Sequence, residues 1–156
     1  LVAVCDVVQA AHENGVIHRD LKPGNIMVDD RGRVYVLDWG IARVADAVQR
    51  TSEGTVLGSF PYLPPEQARG TSSRADARSD VFALGAILYE FLTGRPRLCV
   101  DPCDALYAAA MGEPPVPPRE IVPSVPAGLE AACLKALEAE PDRRFASVRE
   151  FARALA

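Results

Sequence analysis

Among the first thirteen residues, apolar side chains recur at Leu1, Val4, Cys5, Val8 and Ala11. Steps of three and four put them on one face of a helix, and Asn14-Gly15 supplies its stop. Residues 16–25 read as a short strand followed by a polar loop. Ile26-Met27-Val28 is a short apolar run, Asp29-Asp30-Arg31-Gly32 is a turn, and Arg33 to Leu37 is a second strand, so 26–37 predicts a β-hairpin. From Asp38 to Pro65 no period holds, and an unpatterned loop of that length in a compact domain is usually functional. The strongest periodic segment opens at Ser79, which reads as an N-cap, and runs through Val81, Phe82, Leu84, Ile87, Leu88 and Phe91 to a stop at Thr93-Gly94. It is apolar on nearly every side, which predicts a buried central helix.

Residues 104–111 predict a short helix. Pro114, Pro115, Pro117, Pro118, Pro123 and Pro126 follow, and that density predicts an extended surface segment with no helix. Residues 127–139 and 147–155 predict the last two helices. The pattern therefore describes an α+β chain that is mainly α, with one small hairpin.

Composition narrows the function classes. The 156 residues correspond to one domain or an incomplete one, long enough to bury a core. With 49% hydrophobic and 24% charged residues, the chain is neither a disordered tail nor collagen-like. A net charge of −4 offers no basic face for nucleic acid. The longest apolar-rich stretch, Val81 to Leu92, is broken by Gly85 and Glu90 and is too short for a membrane span. Cys5, Cys99, Cys103 and Cys133 form no C-x-x-C, and the two histidines lie far from the closest cysteine pair. That spacing argues against zinc and for reduced thiols. Leu1 lies inside an amphipathic pattern, which reads as a cut chain.

The chemistry is concentrated in three ordered motifs: His18-Arg19-Asp20-Leu21-Lys22-Pro23-Gly24-Asn25, then Asp38-Trp39-Gly40, then Pro64-Pro65-Glu66. On these residues the chain resembles the catalytic half of the eukaryotic-like (Hanks-type) serine/threonine protein kinases, over essentially its whole length. Asp38-Trp39-Gly40 and Tyr62-Leu63-Pro64-Pro65-Glu66-Gln67 resemble the bacterial style of that family. The resemblance implies a protein-kinase-like large lobe with the hairpin beside the catalytic loop. It also implies ATP and Mg²⁺ as cofactors and a protein Ser or Thr hydroxyl as acceptor.

Phosphoryl transfer is mainly positioning plus neutralisation of phosphate charge, and the resemblance distributes those tasks. Asp20 would take the proton of the acceptor hydroxyl, and Lys22 would set positive charge on the transferred phosphate. Asn25 and Asp38 would supply hard oxygen ligands to Mg²⁺. Met27 would floor the adenine. Ser59 stands where the family has a threonine beside the catalytic aspartate, and it keeps the hydroxyl. A lysine at position 22 resembles the serine/threonine rather than the tyrosine kinases. The resemblance implies that Arg19 would pair with a phosphate on the long loop, for which Thr51, Ser52 and Thr55 are the candidate acceptors. Trp39 replaces the family's Phe and would pack beside His18. Three structural roles follow from the same resemblance: an ion pair between Glu66 and Arg144, an anchor from Asp80 to the catalytic-loop backbone, and close packing at Gly85.

The parts of a kinase that cover ATP are not in the chain. There is no G-x-G-x-x-G, and the only lysines are Lys22 and Lys135, so the strand lysine with its helix glutamate is also missing. The expectation is a partial catalytic domain over residues 1–156, whose small lobe would lie upstream and whose isolated chain would not turn over ATP. A non-catalytic, pseudokinase-like interaction module or a degraded gene fragment is the alternative. Degeneration usually erodes Asp20, Asn25 or Asp38 first, and all three are intact. A metal-assisted hydrolase using Asp20 and Asp38 has no nucleophile or base pattern beyond what the kinase reading explains. The lobe is expected in the cytoplasm, where ATP and reduced thiols are found. Kinases of this style often carry a membrane span or sensor region after the catalytic domain, on which these residues are silent.

Overall fold

A computed structural model describes residues 1–39, 60–70, 76–98 and 102–156. Helix α1 spans Val2–Glu13. The hairpin is β1, Ile26–Val28, against β2, Val34–Val36, antiparallel with Met27 opposite Tyr35. Helix α2 is the single turn Pro65–Ala68, and α3 is the 17-residue Ala77–Thr93. Helices α4 (Pro102–Met111), α5 (Pro118–Ile121), α6 (Ala127–Ala136) and α7 (Val148–Ala154) complete the described elements. The mainly α architecture with one hairpin agrees with the sequence pattern. None of the described helices is long and apolar enough to cross a membrane.

Helix α3 is the centre of the packing. Every residue from Ser79 to Tyr89 is buried, and Val81, Phe82, Leu84, Ala86 and Leu88 join Val4, Val8, Cys133, Val148 and Phe151 in one core. Helix α6 packs along α3, and α1 packs against α7 and β2. Phe91 departs from the expected buried helix: it is 76% exposed, because the helix leaves the core over its last turn. Gly94 then ends α3 in the left-handed region at φ 71°, with its N–H donating to Glu90 O at 2.8 Å.

Gly85 is set by contact with α6. A Cβ there would lie 2.6 Å from Ala136 Cβ and 3.4 Å from Leu137 Cγ. Alanine would gain about 1 kcal/mol of helix propensity, but forcing two helices apart in a close-packed core costs about 1–3 kcal/mol. The Gly85→Ala variant is therefore expected to be neutral to destabilised, with a lower urea midpoint and an unchanged m-value; a raised midpoint would show that α3 and α6 separate freely.

Four sequence expectations are corrected. The N-cap of α3 is Asp76, which accepts from Arg78 N at 2.7 Å, and not Ser79. Ser79 lies inside the helix, and its buried hydroxyl donates to Glu66 Oε1 at 2.8 Å. No strand forms in residues 16–25: the segment is irregular up to a 3₁₀ turn at Pro23–Asn25. The proline-rich segment does contain a helical turn, α5, because Pro118 stands at its first position, where no intrahelical N–H is needed. Helix α6 stops at Ala136 and α7 starts at Val148, short of the predicted limits. Cys5 and Cys133 are buried and free; burial pushes their thiols up to about 11 and about 12, so both stay protonated at neutral pH.

Candidate active site

The loop between α1 and β1 carries Asp20, Lys22 and Asn25, and hydrogen bonds gather the three. Lys22 Nζ donates to Asp20 Oδ2 at 2.9 Å. Asn25 Nδ2 donates to the Asp20 carbonyl at 2.8 Å and to Asp20 Oδ2 at 3.3 Å. Asn25 is 5% exposed, whereas the Asp20 side chain is 50% exposed. An exposed Lys–Asp pair contributes only about 0–1 kcal/mol to stability. Its value here is placement: the carboxylate is open to an incoming group while its neighbours fix its direction.

Asp80, from α3, builds the loop from beneath. Its Oδ2 accepts the His18 N–H at 2.9 Å and its Oδ1 accepts the Arg19 N–H at 2.8 Å. Arg19 sits in the left-handed region at φ 67°, a conformation that costs a non-glycine residue about 1–2 kcal/mol. The charge-assisted bond to Asp80 and the donation of Gln67 Nε2 to Arg19 O at 3.1 Å offset that cost. His12 Nε2 completes the Asp80 cluster, 2.7 Å from Oδ2. Asp80 is fully buried, and both of its carboxyl oxygens have hydrogen-bond partners.

His18 joins this loop to the strand that leads into Asp38. The Asp20 N–H donates to His18 Nδ1 at 3.2 Å, so Nδ1 is the acceptor, and the ring proton on Nε2 is donated to Leu37 O at 2.9 Å. Leu37 N in turn donates to Asn25 O at 2.8 Å. The peptide entering Asp38 is thereby tied to both ends of the Asp20–Asn25 loop. Asp38 is exposed and also left-handed, at φ 56°. Trp39 packs against His18 with ring centroids 4.8 Å apart and the rings tilted by 52°, and its Nε1 donates to Val36 O at 2.9 Å. Met27 lies on β1, 49% exposed, beside exposed Val28.

The Glu66–Arg144 pair is present and bidentate. Arg144 Nη1 and Nη2 donate to Glu66 Oε1 and Oε2, each at 2.8 Å, with the two side chains 0% and 6% exposed. Burial alone would push the Glu66 carboxyl up. The hydrogen bonds and charge of Arg144, with the Ser79 hydroxyl, outweigh it and hold the group below the usual carboxylate range. Ser59, with Thr51, Ser52, Thr55 and Gly40, lies outside the described residues.

Among the described residues no three His, Cys, Asp or Glu side chains converge as a metal cage. The donor set instead fits a Mg²⁺ that takes one or two protein oxygens and completes its shell with phosphate and water. Asn25 uses its amide N–H groups on Asp20, so its carbonyl oxygen takes no part in those bonds, and Asp38 carries an exposed carboxylate.

A family profile described as "Protein kinase domain" matches residues 1–145. The chain belongs to the protein kinase family. The serine/threonine-protein kinase PknB of Mycobacterium leprae is 43% identical over 147 residues, covering 94% of this chain and 23% of that protein. The serine/threonine-protein kinase Pkn1 of Myxococcus xanthus is 43% identical over 160 residues, covering 99% of this chain and 23% of that protein. The probable serine/threonine-protein kinase PknB of Bifidobacterium longum is 40% identical over 153 residues, covering 97% and 22%. The chain thus spans under a quarter of the length of these relatives. Protein kinases as a family use ATP with Mg²⁺, and the helical scaffold with its hairpin is kinase-like. Sequence reasoning missed two contacts around this loop: His12 as a partner of Asp80, and the bridge from His18 to Leu37. The apolar stripe of α1 hides the first, and the second depends on a tertiary contact with β2.

Proposed function

We propose that this chain is the large-lobe part of a protein serine/threonine kinase that moves the γ-phosphate of ATP to a protein Ser or Thr hydroxyl. The observation that carries the reading is the Asp20–Lys22–Asn25 cluster, hydrogen-bonded together on a loop anchored by Asp80. Asp20 orients the acceptor hydroxyl and takes its proton as the new O–P bond forms and the bond to the ADP leaving oxygen breaks. Lys22, 2.9 Å from that carboxylate, places positive charge beside the transferred group. Asn25 and Asp38 hold Mg²⁺, whose contribution when bound is to neutralise phosphate charge. Met27 offers an apolar surface to the base. By resemblance, Ser59 would supply the hydroxyl for which the family has a threonine.

The test is transfer from γ-labelled ATP to myelin basic protein by the full-length natural protein, followed by phosphoamino-acid analysis. Label in phosphoserine or phosphothreonine, lost on adding EDTA, is expected. Absence of label, or label only in phosphotyrosine, overturns the reading.

A further inference from the structure

Arg97, just after α3, is a buried cation with an unusual set of partners. It is 7% exposed, and among the described residues no carboxylate lies within salt-bridge reach of it. Its Nε donates to Pro61 O at 2.8 Å and its Nη2 to Leu63 O at 3.3 Å. Its Cζ stands 4.9 Å from the centre of the Phe82 ring, which Arg144 also approaches, at 4.8 Å. Burial and the Arg144 charge pull its guanidinium down to about 10, so it remains a cation at neutral pH. Burying a charge without a counter-ion is costly, so its hydrogen bonds need a purpose beyond filling space.

The segment it holds explains that purpose. Pro61, Pro64 and Pro65 remove three N–H donors from residues 60–65. The segment has one 3₁₀ turn, Phe60–Tyr62, and few backbone donors with which to fix itself. Side chains do the work instead. Arg97 takes two of its carbonyls, Tyr62 Oη donates to Glu90 Oε2 at 2.5 Å, and Glu66 is held by Arg144 and Ser79. The far end reaches the catalytic loop, where Gln67 donates to the carbonyl of Arg19, the residue before Asp20. Gln67 thus joins this segment to the loop that carries Asp20.

We infer that Arg97 is a positioning residue for the protein acceptor: by fixing the Pro61 and Leu63 carbonyls it sets the 60–67 segment against the catalytic loop, without touching ATP. The inference rests on the kinase reading above. It is tested in the full-length protein with Arg97→Met, which keeps the stem and removes the donors, and Arg97→Lys, which keeps the charge and can reach one carbonyl. The expected result for Arg97→Met is a KM for myelin basic protein raised about tenfold, the effect of losing a hydrogen bond from a charged donor. The KM for MgATP should stay within about twofold, and Arg97→Lys should recover part of the loss. Hydrogen exchange should quicken at Tyr62, Leu63 and Gln67 and stay unchanged in α1 and α6. Unchanged KM and exchange, or faster exchange throughout the core, would overturn the assignment. If the wild type transfers no phosphate, the kinase reading falls, and the exchange comparison alone still decides whether Arg97 holds this segment.

Discussion

Truncating Glu66 to Ala, or changing Arg144 to Met, is expected to destabilise the protein by about 3–5 kcal/mol, the cost of stranding one partner of a buried ion pair. That is a large share of the roughly 5–15 kcal/mol that holds a typical domain folded. Arg144 is more than half of a pair: it also donates to Glu138 O at 2.8 Å, Ala139 O at 2.9 Å and Arg78 O at 3.1 Å. Glu66 in turn accepts from Ser79. Replacing both residues by apolar side chains therefore should not restore full stability, because those carbonyls and that hydroxyl would lose their partner. The sign with pH is fixed by the lowered carboxyl of Glu66. The unfolded state binds the proton first as pH falls, so the stability from this group is complete above the unfolded carboxylate pKa, near 4.3. It is lost as pH falls through that value toward the lower folded one. Urea midpoints measured from pH 7 downwards should show this loss in the wild type, and the part due to Glu66 should vanish in Glu66→Gln. An identical pH slope in the two proteins would show that the Glu66 carboxyl binds its proton equally well in the folded and unfolded states.

Asp20→Asn is expected to lower the transfer rate of the full-length protein by about 10²–10⁴-fold, the range for removing a positioned acid–base group. The change is nearly isosteric. The amide oxygen can still accept from Lys22, and Asn25 can still donate to the main-chain carbonyl at position 20, as it does at 2.8 Å. The loop anchor through Asp80 involves the backbone of His18 and Arg19 and does not touch the Asp20 carboxylate. Folding should therefore be unaffected, with the melting temperature within a degree or two of wild type, since exposed pairs carry little stability. Steady-state kinetics with a parallel melting curve checks both halves of the expectation.

The sequence made much of this legible because local patterns and tertiary constraints coincide. Helices α1 and α3 each have a period that matches their burial, and the buried residues of α3 include nearly all of its apolar pattern. Asp20, Lys22 and Asn25 are close in sequence, so the loop that carries them brings them together directly. Ser79 shows where the pattern misled. A serine before an apolar run looks like a cap, but Asp76 caps one turn earlier, and the serine hydroxyl is claimed by Glu66, 13 residues away. Proline density misled in the same way at α5, where composition was informative and position within the turn decided. His12, Arg97 and the contact of His18 with Leu37 were illegible for a different reason. Each gains its role from a partner distant in sequence, 68 residues for His12 and Asp80 and 36 for Arg97 and Pro61, and no periodicity encodes such a pairing.

Whether the cluster around Asp20 transfers phosphate is decided most directly by a single-turnover comparison of full-length wild type and Asp20→Asn, with γ-labelled MgATP and one protein acceptor. The expected result is labelled phosphoserine or phosphothreonine from the wild type and a variant slowed by at least about 100-fold at an unchanged melting temperature. Equal rates in the two proteins, or a wild type that leaves the acceptor unlabelled, would contradict a kinase that uses Asp20 as its base.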